Sequence, residues 1–145
     1  MGKHYVEDIS EVIDLTISYC WCLDARDWEK FSTLFVPEAT ALLGEHSFQS
    51  FEAIKKKCSE SLTPLDASHH MVTNHQVQIN GDKATSRCYM QAQHIKHSAT
   101  GGPNAIIAGT YEHELIRIDE TWKIAHYVLT KVWEDGNKEV FNHSS

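Results

Sequence analysis

The feature that most constrains the fold is a change of hydrophobic period partway along the chain. Up to about residue 62, apolar residues recur every three or four positions; from Ser68 onward they recur every second. The first half therefore reads as helices and the second as strands. Within the first half, Ile9, Ile13, Ile17, Cys20 and Trp21 predict one long helix with a buried face. Asp27 reads as the N-cap of a second helix carrying Trp28, Phe31, Leu34 and Phe35. Pro37-Glu38 breaks that pattern and 39–43 form a short strand ending at Gly44. Ser50 caps a third helix that buries Phe51, Ile54, Cys58 and Leu62.

After the period changes, the spacing predicts strands over 69–79, 83–97, 105–118 and 121–133. Asn80-Gly81-Asp82 is a hairpin turn, 100–104 a longer loop and Asp119-Glu120 another tight turn. Residues 136–145 are polar and read as a loose tail. Helices first and an antiparallel meander after them describe an α+β protein, about three N-terminal helices lying on one face of a curved, mostly antiparallel sheet. Long strands covered by so few helices tend to enclose a pocket, apolar with a few aimed polar groups.

One polar residue sits where such a pocket would need it. Asp24 continues the apolar series of the first helix by one further step. A carboxylate on a buried face costs on the order of several kcal/mol unless a cation or hydrogen-bond donors meet it. Asp24 is thus either a surface turn residue at the helix–helix corner or a buried acid with a partner downstream. Histidines are the natural partners to weigh. On the strand that includes Cys88, Met90 and Ala92, the same face ends at His94, which lines a pocket or is a satisfied core residue. Tyr111 and His113 share a face of the next strand with Gly109, whose missing side chain leaves a bend or room for a ligand. His69, His70 and His75 do not have metal-ligand spacing, because neighbours on a strand point to opposite faces; no metal is expected.

Composition narrows the partners. The formal net charge of −7 with no basic run longer than Lys55-Lys56-Lys57 argues against nucleic acid or an anionic membrane as a partner. Neither a secretory leader nor a transmembrane stretch is evident, so the four cysteines are expected as reduced thiols in a cytoplasmic protein. At 145 residues the chain reads as one domain.

Four fragments, in order, carry a family resemblance: Tyr19-x-x-Cys22-Leu23-Asp24-x-x-Asp27-Trp28; His69-His70-Met71-Val72-Thr73-Asn74; Asn80-Gly81-Asp82-x-Ala84; and Tyr111 through Arg117-Ile118-Asp119-x-x-Trp122-Lys123-Ile124. Together they resemble the SnoaL-like branch of the nuclear transport factor two-like superfamily. Within it the chain looks like the group of scytalone dehydratase, bile acid 7α-dehydratase and hexachlorocyclohexane dehydrochlorinase. The resemblance covers about residues 5–135 and implies a cone-shaped α+β barrel. It also implies that Asp24 hydrogen-bonds His70 inside the cone. Tyr19 is similar in placement to a tyrosine of the bile acid enzyme, His94 to a second pocket histidine of scytalone dehydratase, and Lys131 to a late-strand cation. Gly109, Tyr111 and Leu23 depart from the scytalone dehydratase pattern, so its substrate does not transfer.

On this reading the catalytic set is Asp24, His70, Tyr19 and His94, with Lys131, Tyr111 and His113 binding substrate. Neutral imidazole accepts a proton near pH 7, and a carboxylate on its other nitrogen fixes the tautomer. The implied activity is a cofactor-independent lyase that removes a C–H proton from a small hydrophobic cyclic substrate and expels water. Returning the proton to another carbon would make it an isomerase or cyclase; the same fold also serves as a non-catalytic binding or dimerisation module. The resemblance implies a homodimer or homotrimer, with Trp122 and Trp133 as contact or core residues.

Overall fold

The structure is a computed structural model that describes residues 3–143. The chain runs α1 (Lys3–Ala25), α2 (Trp28–Ser32), β1 (Phe35–Leu43), β2 (His46–Phe48), α3 (Phe51–Leu62), β3 (Ala67–Asn80), β4 (Lys83–Ile95), β5 (Asn104–Ile118) and β6 (Thr121–Gly136). The strands form one sheet in the order β2-β1-β6-β5-β4-β3. Only the β1–β6 pair is parallel; every other neighbouring pair is antiparallel. The α+β class with helices on one face of a curved sheet is as expected. The sheet is not closed, since β2 and β3 are its edges.

Local chemistry explains the elements. Asp27 accepts from the Lys30 N–H to start α2, and Ser50 accepts from the Ala53 N–H to start α3. Phe51, Ile54, Cys58 and Leu62 are buried at the expected helical spacing. Asp119 and Glu120 both take positive φ, 50° and 65°, the geometry of a two-residue hairpin turn. An aromatic cluster of Tyr19, Phe31, Phe35, Phe51 and Tyr127 joins the helices to the sheet, with ring centroids 4.9–6.2 Å apart.

Several expectations are corrected. The buried residues of α1 are Val12, Thr16, Tyr19, Cys20, Cys22 and Leu23; Cys20 is buried as expected, whereas Ile17 and Trp21 are exposed, Trp21 at 72%. This stretch is apolar on more than one side, and the large Tyr19 ring, seated in the aromatic cluster, decides which side turns in. The second helix ends at Ser32, before Leu34 and Phe35. Strand β1 starts at Phe35 and runs through Pro37-Glu38, whose side chains are exposed at an irregularity between Phe35 and Thr40 where a missing N–H costs nothing. Trp122 is fully buried and its indole N–H donates to Asp8, so it belongs to the core, while Trp133 is 45% exposed. The tail is not loose as far as it is described. A 3-10 turn, Lys138–Phe141, buries Val140, and His143 bonds the Ser61 carbonyl at 2.9 Å. Ser144 and Ser145 lie outside the described residues. Among the described residues, no helix is long and apolar enough to cross a membrane.

Candidate active site

The site begins at the C-terminal end of α1. The helix stops in a Schellman turn: the Asp27 N–H reaches the Cys22 carbonyl at 2.9 Å and the Arg26 N–H reaches Leu23 at 3.2 Å. Arg26 occupies the left-handed position usually taken by glycine, at φ 57°. Its guanidinium offsets that cost by donating to the Leu23 carbonyl at 2.6 Å and to Ser68 Oγ at 2.8 Å. Asp24 therefore sits in the last turn, at the negative end of the helix dipole, where a carboxylate needs donors from elsewhere.

Strand β3 supplies them. His70 Nδ1 lies 2.6 Å from Asp24 Oδ1, Ser68 Oγ donates to the same oxygen at 2.9 Å, and the His70 N–H donates to Oδ2 at 2.9 Å. The side chains are 6% exposed for His70 and 19% for Asp24. Burial would raise the Asp24 carboxyl, but the hydrogen bonds from His70 and Ser68 outweigh it and hold the group below its ordinary value. Accepting from Nδ1 assigns that nitrogen the proton and leaves Nε2 as the basic one. Nε2 makes no hydrogen bond to a described residue.

His70 lines a cavity of about 600 Å³ between the helices and the inner face of the sheet. Around it α1 contributes Tyr19, α3 contributes Leu62, and the sheet contributes His94, Tyr111 and Leu129. The His70 and His94 rings stand edge to face at 5.8 Å, and Phe141 from the C-terminal turn packs on His94 at 4.8 Å. Burial, with His70 close by, pushes His94 down to about 4, so it is neutral at pH 7. Tyr19 Oη pairs with Tyr127 Oη at 2.8 Å; burial and the neighbouring tyrosines raise both phenols well above their ordinary value, so they stay protonated. Lys131 reaches the mouth of the cavity and bonds Glu134 at 3.1 Å.

Six of the seven expected residues thus meet: Asp24 behind His70, and Tyr19, His94, Tyr111 and Lys131 around the same hollow. His113 does not join them. It is buried against Tyr127, ring on ring at 6.0 Å, with Ser86 opposite on β4. Neither of its ring nitrogens makes a hydrogen bond of ordinary geometry, and burial, with His75 near it, depresses it to about 4. It shares a strand face with Tyr111, two residues away, but does not line the cavity. Arg26, Ser68, Tyr127 and Phe141 were not anticipated. Ser68 was within reach, being two residues from His70 on the same strand face; Phe141 lies in a polar tail that carries no periodic signal. Among the described residues, no three His, Cys, Asp or Glu side chains gather as a metal site would require.

Comparison with known proteins shows the family and the fold. A model of the SnoaL-like domain matches residues 4–128, and the chain belongs to that family. "Terrestric acid biosynthesis cluster protein E" of Penicillium crustosum is 27% identical over 124 residues, 81% of this chain and 79% of the relative. A candidate scytalone dehydratase from Novosphingobium aromaticivorans superposes with a TM-score of 0.82 at 19% identity, over 90% of this chain and 88% of its own. The hexachlorocyclohexane dehydrochlorinase LinA-type3 of Novosphingobium barchaimii does so with a TM-score of 0.79 at 16% identity, over 90% of each chain.

Proposed function

We propose that this member of the SnoaL-like family is a cofactor-independent lyase working on a small cyclic substrate. The single observation that carries the reading is the Asp24–His70 pair, 2.6 Å apart and set in the wall of a 600 Å³ hollow. His70 Nε2 removes a C–H proton made acidic by a neighbouring carbonyl. The carbon electron pair forms the new double bond as the C–O bond breaks, and the departing hydroxide takes the proton back from the His70 imidazolium, so that water leaves and the imidazole is neutral again. The Asp24 carboxylate holds the ring in the reactive tautomer and stabilises the imidazolium that forms. Tyr19 and neutral His94 donate hydrogen bonds to the developing oxyanion. Dehydratase and dehydrochlorinase, the names of two fold neighbours, both denote eliminations, which supports an elimination as the reaction class.

The test is turnover. Pure protein is screened against β-hydroxy ketones of polyketide or steroid type, with water loss followed by mass spectrometry. His70→Ala should lower turnover at least about 10²-fold with the circular dichroism spectrum unchanged. Turnover within a few-fold of the unaltered protein would show the pair to be dispensable.

A further inference from the structure

The charges around the cavity mouth do not match those of the protein as a whole. The chain carries a net −7, yet Lys57 from α3 and Lys131 from β6 line the opening together with a single carboxylate, Glu60. That carboxylate already has a cation, Lys56, at 3.7 Å. Lys131 shares Glu134 with Lys138, at 3.1 and 3.6 Å, so two ammonium groups divide one negative charge. Lys57 makes no hydrogen bond or ion pair with a described residue. Glu45 stands in the neighbouring turn, outside the lining. Deeper in, the walls are apolar (Leu23, Leu62, Ile107, Leu129) up to the two histidines and two tyrosines.

A hollow that is apolar within and cationic at its rim fits an amphipathic anion. The geometry points to a substrate that is itself an acid: a cyclic skeleton inside the cone, with a carboxylate or similar anionic group held at the mouth by Lys57 and Lys131. Two ammonium groups at the rim attract such a group and orient the skeleton, so that one ring carbon faces His70 Nε2. A neutral substrate of the same shape would leave Lys57 unpaired and would gain only the apolar contacts. This inference rests on the cavity being the substrate site, as proposed above, but it concerns binding and not chemistry.

The experiment compares two fluorescent probes of one skeleton, anionic 1-anilinonaphthalene-8-sulfonate and uncharged N-phenyl-1-naphthylamine, titrated into the full chain at pH 7. The anionic probe should bind more tightly, and its affinity alone should fall as salt is raised. Lys57→Gln combined with Lys131→Gln should weaken the anionic probe about three- to tenfold and leave the neutral probe unchanged. Leu62→Trp, which fills the hollow, should weaken both, placing them in this cavity. Equal affinity for the two probes, equal loss of both in the lysine variant, or no binding of either would overturn the inference. Because no turnover is measured, an inactive His70→Ala protein that still prefers the anion separates this claim from the proposed chemistry. A dispensable dyad would likewise leave the binding result standing.

Discussion

Replacing Asp24 by asparagine keeps the shape of the side chain and removes its charge, which makes it the sharpest probe of the site. In the native protein the carboxylate accepts three hydrogen bonds, two from His70 and one from Ser68, at 2.6–2.9 Å. Bonds to a charged acceptor are worth about twice those between neutral groups, so each loses about 1 kcal/mol. The uncharged amide is cheaper to bury and returns part of the total of roughly 3 kcal/mol, leaving a net destabilisation of about 1–3 kcal/mol at pH 7. The amide NH₂ also meets His70 Nδ1, which must then become the acceptor, with the proton moving to Nε2. The base is lost although nothing moves, and turnover should fall about 10²–10⁴-fold.

Urea unfolding of both proteins across pH checks the energetic half. Asp24 is held below its ordinary value of 3.8 in the folded state. Its contribution is therefore complete above that value and disappears as pH falls through the lower folded value. The gap between native and Asp24→Asn proteins should be constant from neutral pH down to about 4 and close below it. A gap that persists unchanged at about pH 2.5, or no gap at neutral pH, would refute the assignment of the stabilisation to a charged carboxylate.

Other outcomes are expected from the same structure. His94 and His113 are both depressed to about 4 from an ordinary 6.5, so the stability they contribute is complete above pH 6.5 and falls away toward pH 4, by on the order of a few kcal/mol; proton NMR should show neither ring titrating between pH 8 and 5. His113→Phe removes an unpaired buried imidazole and keeps the stack on Tyr127, so it should flatten that acid loss and raise stability at pH 5 by about 1–3 kcal/mol, read from urea midpoints. At Gly109 an added Cβ would fall 1.9 Å from the Thr130 carbonyl oxygen, so Gly109→Ala should cost about 3 kcal/mol or more, seen as a drop in melting temperature or loss of soluble protein.

Gly109 also shows that a mid-strand glycine can make room for backbone at an irregularity and not for a ligand. Read from the sequence, it marks a bend or space for a ligand; in the fold, the space is taken by the backbone of β6, at a register shift beside Lys131. Irregularities of this kind decide which side chains enter the cone. On β3, Asn74 takes φ 59° and shifts the register between Thr73 and Gln76, so His70 and His75 both point inward although five residues separate them. His75 then meets Thr16 of α1 at 2.8 Å. On β6, a similar shift near Ala125 turns Tyr127 toward Tyr19. No count of alternating residues carries across such a bulge.

By itself the sequence determined the three helices, the long strands, the caps at Asp27 and Ser50 and the hairpin turns, while the pairing of Asp24 with His70 came from the family resemblance and the strand β2 was not read at all. Periodicity, side-chain hydrogen bonds to the nearby backbone and a buried charge's need for donors are all written locally or in short motifs. Tertiary structure alone decided which face of α1 turned inward, that His113 lay apart from the cavity, and that the C-terminal turn closed over His94. Those outcomes depend on which large ring fills a given space and where a strand gains a residue, and both are settled only when distant segments pack together.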